Sequence, residues 1–154
     1  MKIWVQRLSE AGTVFEGEEP SERLELENDP FVRPSGPVRY RLRARRISGE
    51  LLVRGSLSAE FDLQCSRCAE FYSTTVGDSD FLRAYSITEE TDFVEIGADL
   101  REALLLRLPS FPVCRENCPG LCPKCGAPLE AGACGCERDD APGSWSALDG
   151  LDLS

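Results

Sequence analysis

Six cysteines lie between Cys114 and Cys136, in CRENCPGLCPKCGAPLEAGACGC, and two more form CSRC at Cys65–Cys68. The chain has no histidine. A pair of cysteines on one tight turn aims both sulfurs at a single point, and a second pair must come to that point to complete it. Eight such thiols tie the chain to itself, through metal or through disulfides. The expected compartment decides which. There is no run of about 18 apolar residues, and MKIWVQRLSEAG lacks the apolar stretch of a secretory signal. A cytoplasmic location is therefore expected, and disulfides are disfavoured there. A single residue separates Cys134 from Cys136, which also suits a metal better than a disulfide. The expected cofactor is Zn2+.

CPKCG at Cys122–Gly126 is the strongest pair, because a glycine after the second cysteine suits a turn whose amides face the sulfurs. Cys134 and Cys136 follow closely enough to close that site. One set is then Cys122, Cys125, Cys134 and Cys136. The other is Cys65, Cys68, Cys114 and Cys118, a long-range staple between the CSRC turn and the segment after the helix. An interleaved set of Cys114, Cys118, Cys122 and Cys125 is the alternative, and an iron–sulfur cluster is a second use of four thiolates. A zinc closed by four thiolates has no open position for water. With no histidine to act as base, and no GxSxG, P-loop or GxGxxG motif, no catalytic residue is assigned. The chain reads as a non-enzyme with no small-molecule substrate.

The clearest secondary structure lies in PVRYRLRARRISGELLVRGSLSAEFDLQ. Val38, Tyr40, Leu42 and Ala44 alternate with Arg39, Arg41, Arg43 and Arg45, a period of two that makes one apolar face and one arginine face. Ser48-Gly49 is the expected two-residue turn. Pairing Ile47 with Glu50 places Ala44 opposite Val53, Tyr40 opposite Leu57 and Val38 opposite Ala59. It also sets Arg43 against Arg54, a like-charge pair that costs stability. Arg33 to Arg54 carries a net +6, which leaves −16 for the rest of a chain whose total is −10. That total argues against indiscriminate binding to nucleic acid or membrane, but a local basic patch is compatible with it.

Other elements follow more loosely. Ile3, Val5 and Leu8 suit a strand, as do Leu24 and Leu26, with GEEP at Gly17–Pro20 as a loop between them. Pro30, Pro34, Gly36 and Pro37 mark a further break. Phe71–Val76 and Asp80–Ile87 read as strands, and Phe93–Ile96 as an extension of the sheet. A helix begins at Asp99 as N-cap, with Glu102 at the capping-box position. Leu100, Leu104 and Leu108 share one face, and Pro109 ends it. The fold class is α+β: mainly antiparallel sheet with a long hairpin, one main helix and a cysteine-rich, zinc-binding C-terminal segment. Residues 1–113 form the sheet domain with its CSRC turn, 114–136 the cysteine-rich segment packed on it, and 137–154 an acidic tail with a short helix carrying Trp145 and Leu148.

CSRC after a hairpin, then DLREALLLRLPSFPVC, GLCPKCG and CGC, then a short tail with tryptophan and leucines, resembles the bacterial YceD family of large-ribosomal-RNA-subunit accumulation proteins. The resemblance implies a cytosolic role in accumulation of large-subunit ribosomal RNA, with counterparts in plastids. It also favours joining Cys65 and Cys68 to Cys114 and Cys118. This chain departs from the pattern at Asp140-Ala141-Pro142-Gly143, where many relatives have Asp-Pro-Arg. The expected partner is ribosomal RNA or a pre-large-subunit particle, met by Arg39, Arg41, Arg43, Arg45 and Arg54, since guanidinium forks suit phosphates and stack on bases. The bland alternative is a solvated outer sheet face, or one neutralised by the acidic N-terminal segment. Two other functions fit the sequence: an adaptor that binds a basic partner such as a ribosomal protein, and a redox or metal-handling protein.

Overall fold

The computed structural model describes residues 1–132 and 134–136. The tail helix expected at Trp145 and Leu148 lies outside them. Among the described residues, seven strands and one α-helix follow in order: β1 (Lys2–Trp4), β2 (Thr13–Glu19), β3 (Val32–Pro34), β4 (Val38–Ile47), β5 (Glu50–Gln64), β6 (Phe71–Ser86), β7 (Phe93–Glu95) and α1 (Gly97–Leu105).

The hairpin β4–β5 forms in the register that the alternation requires, with Ile47 against Glu50, Ala44 against Val53, Tyr40 against Leu57 and Arg43 against Arg54. Ser48 and Gly49 both have positive φ, at 47° and 84°, as a tight hairpin turn demands. β5 is the axis of the sheet. β4 and the short β3 share one of its edges, β6 takes the other, and β2 lies outside β4. All of these neighbours are antiparallel.

The strands expected at Phe71–Val76 and Asp80–Ile87 are one strand of 16 residues, running from Phe71 to Ser86. Gly77-Asp78-Ser79 reads as a break in sequence, but the strand runs through it with a bulge. Gly55 pairs with Phe81 and Leu57 with Asp78, so β6 spends one extra residue there. The extra residue resets the alternation. Val76 and Phe81, five positions apart, therefore both face the core. Asp78, on that inner side, accepts the Asp80 amide at 3.0 Å and Arg107 Nη2 at 3.0 Å.

The apolar sheet face holds Leu42, Ala44, Leu51, Val53, Leu57, Ala59, Phe61 and Leu63, all buried. α1 closes one side of this core with Leu100, Ala103 and Leu104. The helix starts earlier than its capping signal suggests. Ile96 stands at the N-cap and offers no side-chain cap. Asp99 sits instead in the first turn, where a carboxylate also suits the helix dipole, and accepts the Tyr85 hydroxyl at 2.7 Å. Burial first, and then this bond, push the Tyr85 phenol above its ordinary range. Leu108 lies beyond the helix but packs against the core.

The N-terminal region differs most from its sequence reading. β1 stops at Trp4, and Val5–Arg7 is a 3-10 turn. Leu24 is buried from a 3-10 turn, Ser21–Leu24, rather than from a strand. GEEP is not a loop: Gly17, Glu18 and Glu19 belong to β2. β7 pairs with β1 in a separate two-stranded ribbon and does not extend the main sheet.

Candidate metal centres

The CSRC turn connects β5 to β6. The Ala69 amide donates to the Cys65 carbonyl at 2.9 Å, and the Cys65 amide to the Glu70 carbonyl at 2.8 Å. Ala69 takes a positive φ of 61° to make this turn. CPKCG repeats the construction. The Gly126 amide donates to the Cys122 carbonyl at 2.8 Å, the Cys122 amide to the Ala127 carbonyl at 2.8 Å, and Gly126 has φ 72°. Two unrelated stretches thus fold into the same kind of knuckle. Glycine is used in one, whereas the other holds alanine in the left-handed region at some cost.

The sulfurs form two groups of four: Cys65, Cys68, Cys114 and Cys118, and Cys122, Cys125, Cys134 and Cys136. Within each group the sulfurs all lie within 4.8 Å of one another. Cys65 and Cys118 sulfurs are 3.8 Å apart, and those of Cys68 and Cys114 are 3.9 Å apart. Four thiolates at about 2.3 Å from one tetrahedral ion stand about 3.8 Å from each other, whereas a disulfide needs about 2.05 Å. The donor set therefore fits a single four-coordinate ion in each group.

Electrostatics points the same way. Burial pushes the Cys65 thiol up, but the amides of Cys114, Cys68 and Arg67 face its sulfur and together hold it down to about 6. The Arg67 and Cys114 amides lie 3.4 Å from that sulfur. Burial, followed by the sulfurs of Cys118, Cys65 and Cys68, pushes Cys114 up to about 12. In the second group the Cys125 and Lys124 amides hold Cys122 down to about 6, while the sulfurs of Cys125 and Cys134 push Cys136 up to about 12. Four packed thiols cannot all ionise alone; a dication at the centre removes that conflict. Adding Zn2+ to the metal-free protein at about pH 7 is expected to release protons, but fewer than one per thiol, because the amides facing Cys65 and Cys122 already favour the thiolate there. A pH-indicator titration reads this directly. Retention should then weaken as pH falls, since protons compete for the same thiolates.

The first group is nearly enclosed, with Cys65, Cys68 and Cys118 buried, while Cys125 of the second is exposed. The two are joined by residues that spacing arguments pass over. The Arg67 guanidinium donates to the Glu116 carbonyl at 3.0 Å and the Cys118 carbonyl at 3.2 Å. Its own carbonyl accepts the Leu121 amide at 3.1 Å, and the Ser66 amide reaches the Pro112 carbonyl at 2.7 Å. Gly120, with φ 77°, accepts the Leu129 amide. A Cβ at Gly120 would come within 3.0 Å of the Arg67 carbonyl. The central residues of CSRC are thus a clasp on the cysteine-rich segment. An arginine between two ligating cysteines is the only signal the sequence offers for it.

The arginine face is also rearranged by what lies beside it. β2 sets Glu18 against Arg39 and Glu16 against Arg41. Arg39 Nε is 3.0 Å from Glu18, its Nη1 3.1 Å from Glu60, and Arg41 Nε 3.9 Å from Glu16. Hydrogen bonds to Glu18 and then Glu60 hold the Arg39 guanidinium proton more firmly still. Neutralisation by the acidic N-terminal segment is therefore real for these two. The next row across the sheet reads Val14, Arg43, Arg54, Leu82. Val14 and Leu82 are exposed, and Arg43 donates to the Ala11 carbonyl at 2.7 Å. Among the described residues, Arg43, Arg45 and Arg54 make no ion pair. No helix among the described residues is long and apolar enough to cross a membrane.

The chain is an antiparallel-sheet protein with two groups of four cysteines, each able to hold a metal ion. Residues 75–152 match the family described as "Large ribosomal RNA subunit accumulation protein YceD", and the chain belongs to that family. It is 33% identical over 121 residues to the uncharacterized protein Rv2926c of Mycobacterium tuberculosis, a match covering 70% of this chain and 58% of the relative. It is 31% identical over 107 residues to the uncharacterized protein ML1660 of Mycobacterium leprae, covering 60% of this chain and 49% of that one. The chain thus spans about half the length of the curated relatives it matches. No solved structure matches it.

Proposed function

We propose that this chain is a non-enzymatic, zinc-stabilised factor that supports accumulation of large-subunit ribosomal RNA and contacts that RNA through its arginine face. Zinc is the proposed ion because a closed set of four thiolates, held on amide-rich knuckles, suits a structural site and leaves no position for water. The family description supplies the link to the large subunit. Cytoplasmic location and a pre-large-subunit particle as partner follow from the same reading.

The observation that carries the RNA contact is the row Val14, Arg43, Arg54, Leu82. Two guanidiniums directly opposite each other cost stability, and a strand next to them offers valine where its neighbouring rows offer glutamate. The row borders a groove of about 600 Å3 that is also lined by Gly55, Ser56, Ser79 and one carboxylate, Asp80. Its chemistry, paired forks flanked by apolar side chains, suits a phosphate with an adjoining base.

The double substitution Arg43→Glu with Arg54→Glu is expected to strip the protein from pre-large-subunit particles in a sucrose gradient. The same change at Arg39 and Arg41 should have a smaller effect, because carboxylates already occupy those two. Unchanged co-sedimentation of the Arg43/Arg54 variant would overturn the RNA contact. Co-sedimentation that survives nuclease digestion of the particles would favour a ribosomal protein as the partner instead.

A further inference from the structure

The β1–β7 ribbon has a face that the reading above does not use. Ile3 and Val94 pair on its inner side, with Ile3 fully buried in the core. Two backbone bonds fix its ends, Ile96 amide to Met1 carbonyl and Val5 amide to Asp92 carbonyl. The outer side carries Trp4 directly opposite Phe93, with ring centroids 5.3 Å apart and planes tilted by 58°. Both rings are exposed, at 45% and 39%. Lys2 Nζ stands 4.3 Å from the Phe93 centroid, and the Arg7 guanidinium 5.6 Å from that of Trp4. Glu95 opposite Lys2 offsets part of that charge.

Beside the ribbon runs a cleft of about 390 Å3, bordered by Gln6 and Thr91 on the ribbon side, by Arg46 and Gly49 at the hairpin tip, and by Glu89. Arg46 pairs with the buried Leu51 and so lies on the other side of the sheet from Arg45, which makes the aromatic pair a surface apart from the arginine face. Paired exposed rings with cations beside them are what single-stranded nucleic acid uses: bases stack on rings or guanidinium planes while phosphates meet the charges.

We infer that Trp4 and Phe93, flanked by Lys2 and Arg7, form a stacking platform for unpaired bases of an RNA strand. This rests on the proposed role in ribosomal RNA accumulation and names the form of RNA that is held: single-stranded rather than duplex. A tilted aromatic pair that only clips a short ribbon together would leave RNA affinity untouched when the rings are exchanged for aliphatic side chains.

The test uses the full-length, zinc-loaded chain with Trp145→Phe, so that Trp4 is the sole tryptophan. The probe is an oligouridylate of about twelve nucleotides, with a duplex of equal length as control. Trp4 emission should be quenched by the single strand and not by the duplex. In a separate anisotropy titration with the labelled single strand, Trp4→Leu and Phe93→Leu should each weaken binding about ten-fold, with the unfolding midpoint held close to the parent. Quenching absent, or affinity unchanged in both leucine variants, would overturn the platform, even if the Arg43/Arg54 variant still leaves the particle. Quenching with intact leucine sensitivity, but no co-sedimentation of the parent protein with particles, would overturn the ribosomal reading alone. Single-strand binding lost only with the arginines would place the RNA on the sheet face and also sink the platform.

Discussion

Cys65→Ser is expected to lower bound metal from two ions to one and to destabilise the entire sheet domain. An ion held by the first group would close the chain between Cys68 and Cys114, a separation of 46 residues. A cross-link over such a loop contributes about 4 kcal/mol on the chain-entropy estimate, and a metal clip constrains the unfolded chain in the same way. For a chain of this size that is roughly 8–16 °C in Tm. Cys125→Ser also removes one ion, but the loop it opens, between Cys125 and Cys134, is much shorter and contributes only about 2.5 kcal/mol. Cys65 is also the buried centre of its knuckle, receiving two backbone amides, and its removal leaves those donors without a thiolate. The measurement is metal content beside thermal unfolding for both variants. Equal loss of Tm would show that the second centre supports the sheet as strongly as the first, through the Arg67 clasp and the Leu121 amide.

Gly55→Val should rival that effect without touching a ligand. Gly55 lies on β5 between Leu42 and Phe81, at the level of the β6 bulge. Its φ is 155°, and a Cβ there would collide with the Arg41 carbonyl oxygen and press on the Leu42 Cα at 2.9 Å. Both are backbone atoms of the neighbouring strand, so no rotamer change relieves the contact. Overpacking of a close-packed interior costs about 1–3 kcal/mol and more where backbone must move. Gly55→Ala should already lower the urea midpoint measurably, and the valine variant should fall further. A valine variant with an unchanged midpoint would mean that β4 and β5 separate there without penalty.

The parts of this fold that are legible in the sequence are those whose cause is local. The β4–β5 register follows from strict alternation and a two-residue turn. The cysteine pairs announce metal because spacing alone brings two sulfurs together. β2 was not legible, for a tertiary reason. Its inward positions include Gly17 and Glu19, and its outward positions begin with Val14, so no apolar alternation appears. Gly17 is needed because a side chain there would meet the Tyr40 ring, with Cβ only 2.8 Å from the hydroxyl oxygen. Glu16 and Glu18 are placed by the arginines opposite them. The same holds at Asp99, which has the residue type and spacing of a cap but is claimed by Tyr85 from another strand. At residues 77–79 the turn-forming composition serves a bulge, and only the partner strand distinguishes the two. Of the candidate sites, the thiols were legible residue by residue. The division of the arginine face into a neutralised and an open end was not, since it depends on which row of β2 carries valine.

The 46-residue separation of Cys68 from Cys114 also sets an order in time. During synthesis at about 5–20 residues per second, Cys65 and Cys68 leave the ribosome roughly 2–9 s before Cys114. β5 and the CSRC turn have emerged by then, with β6 following, so the nascent chain carries a two-thiol half-site awaiting its partners. Arg67 emerges with it, ahead of the Glu116 and Cys118 carbonyls to which its guanidinium donates in the folded chain. In the folded chain the Leu121 amide on the Arg67 carbonyl sets Cys122 beside the clasp, so the late-made second group is anchored to a turn made long before it.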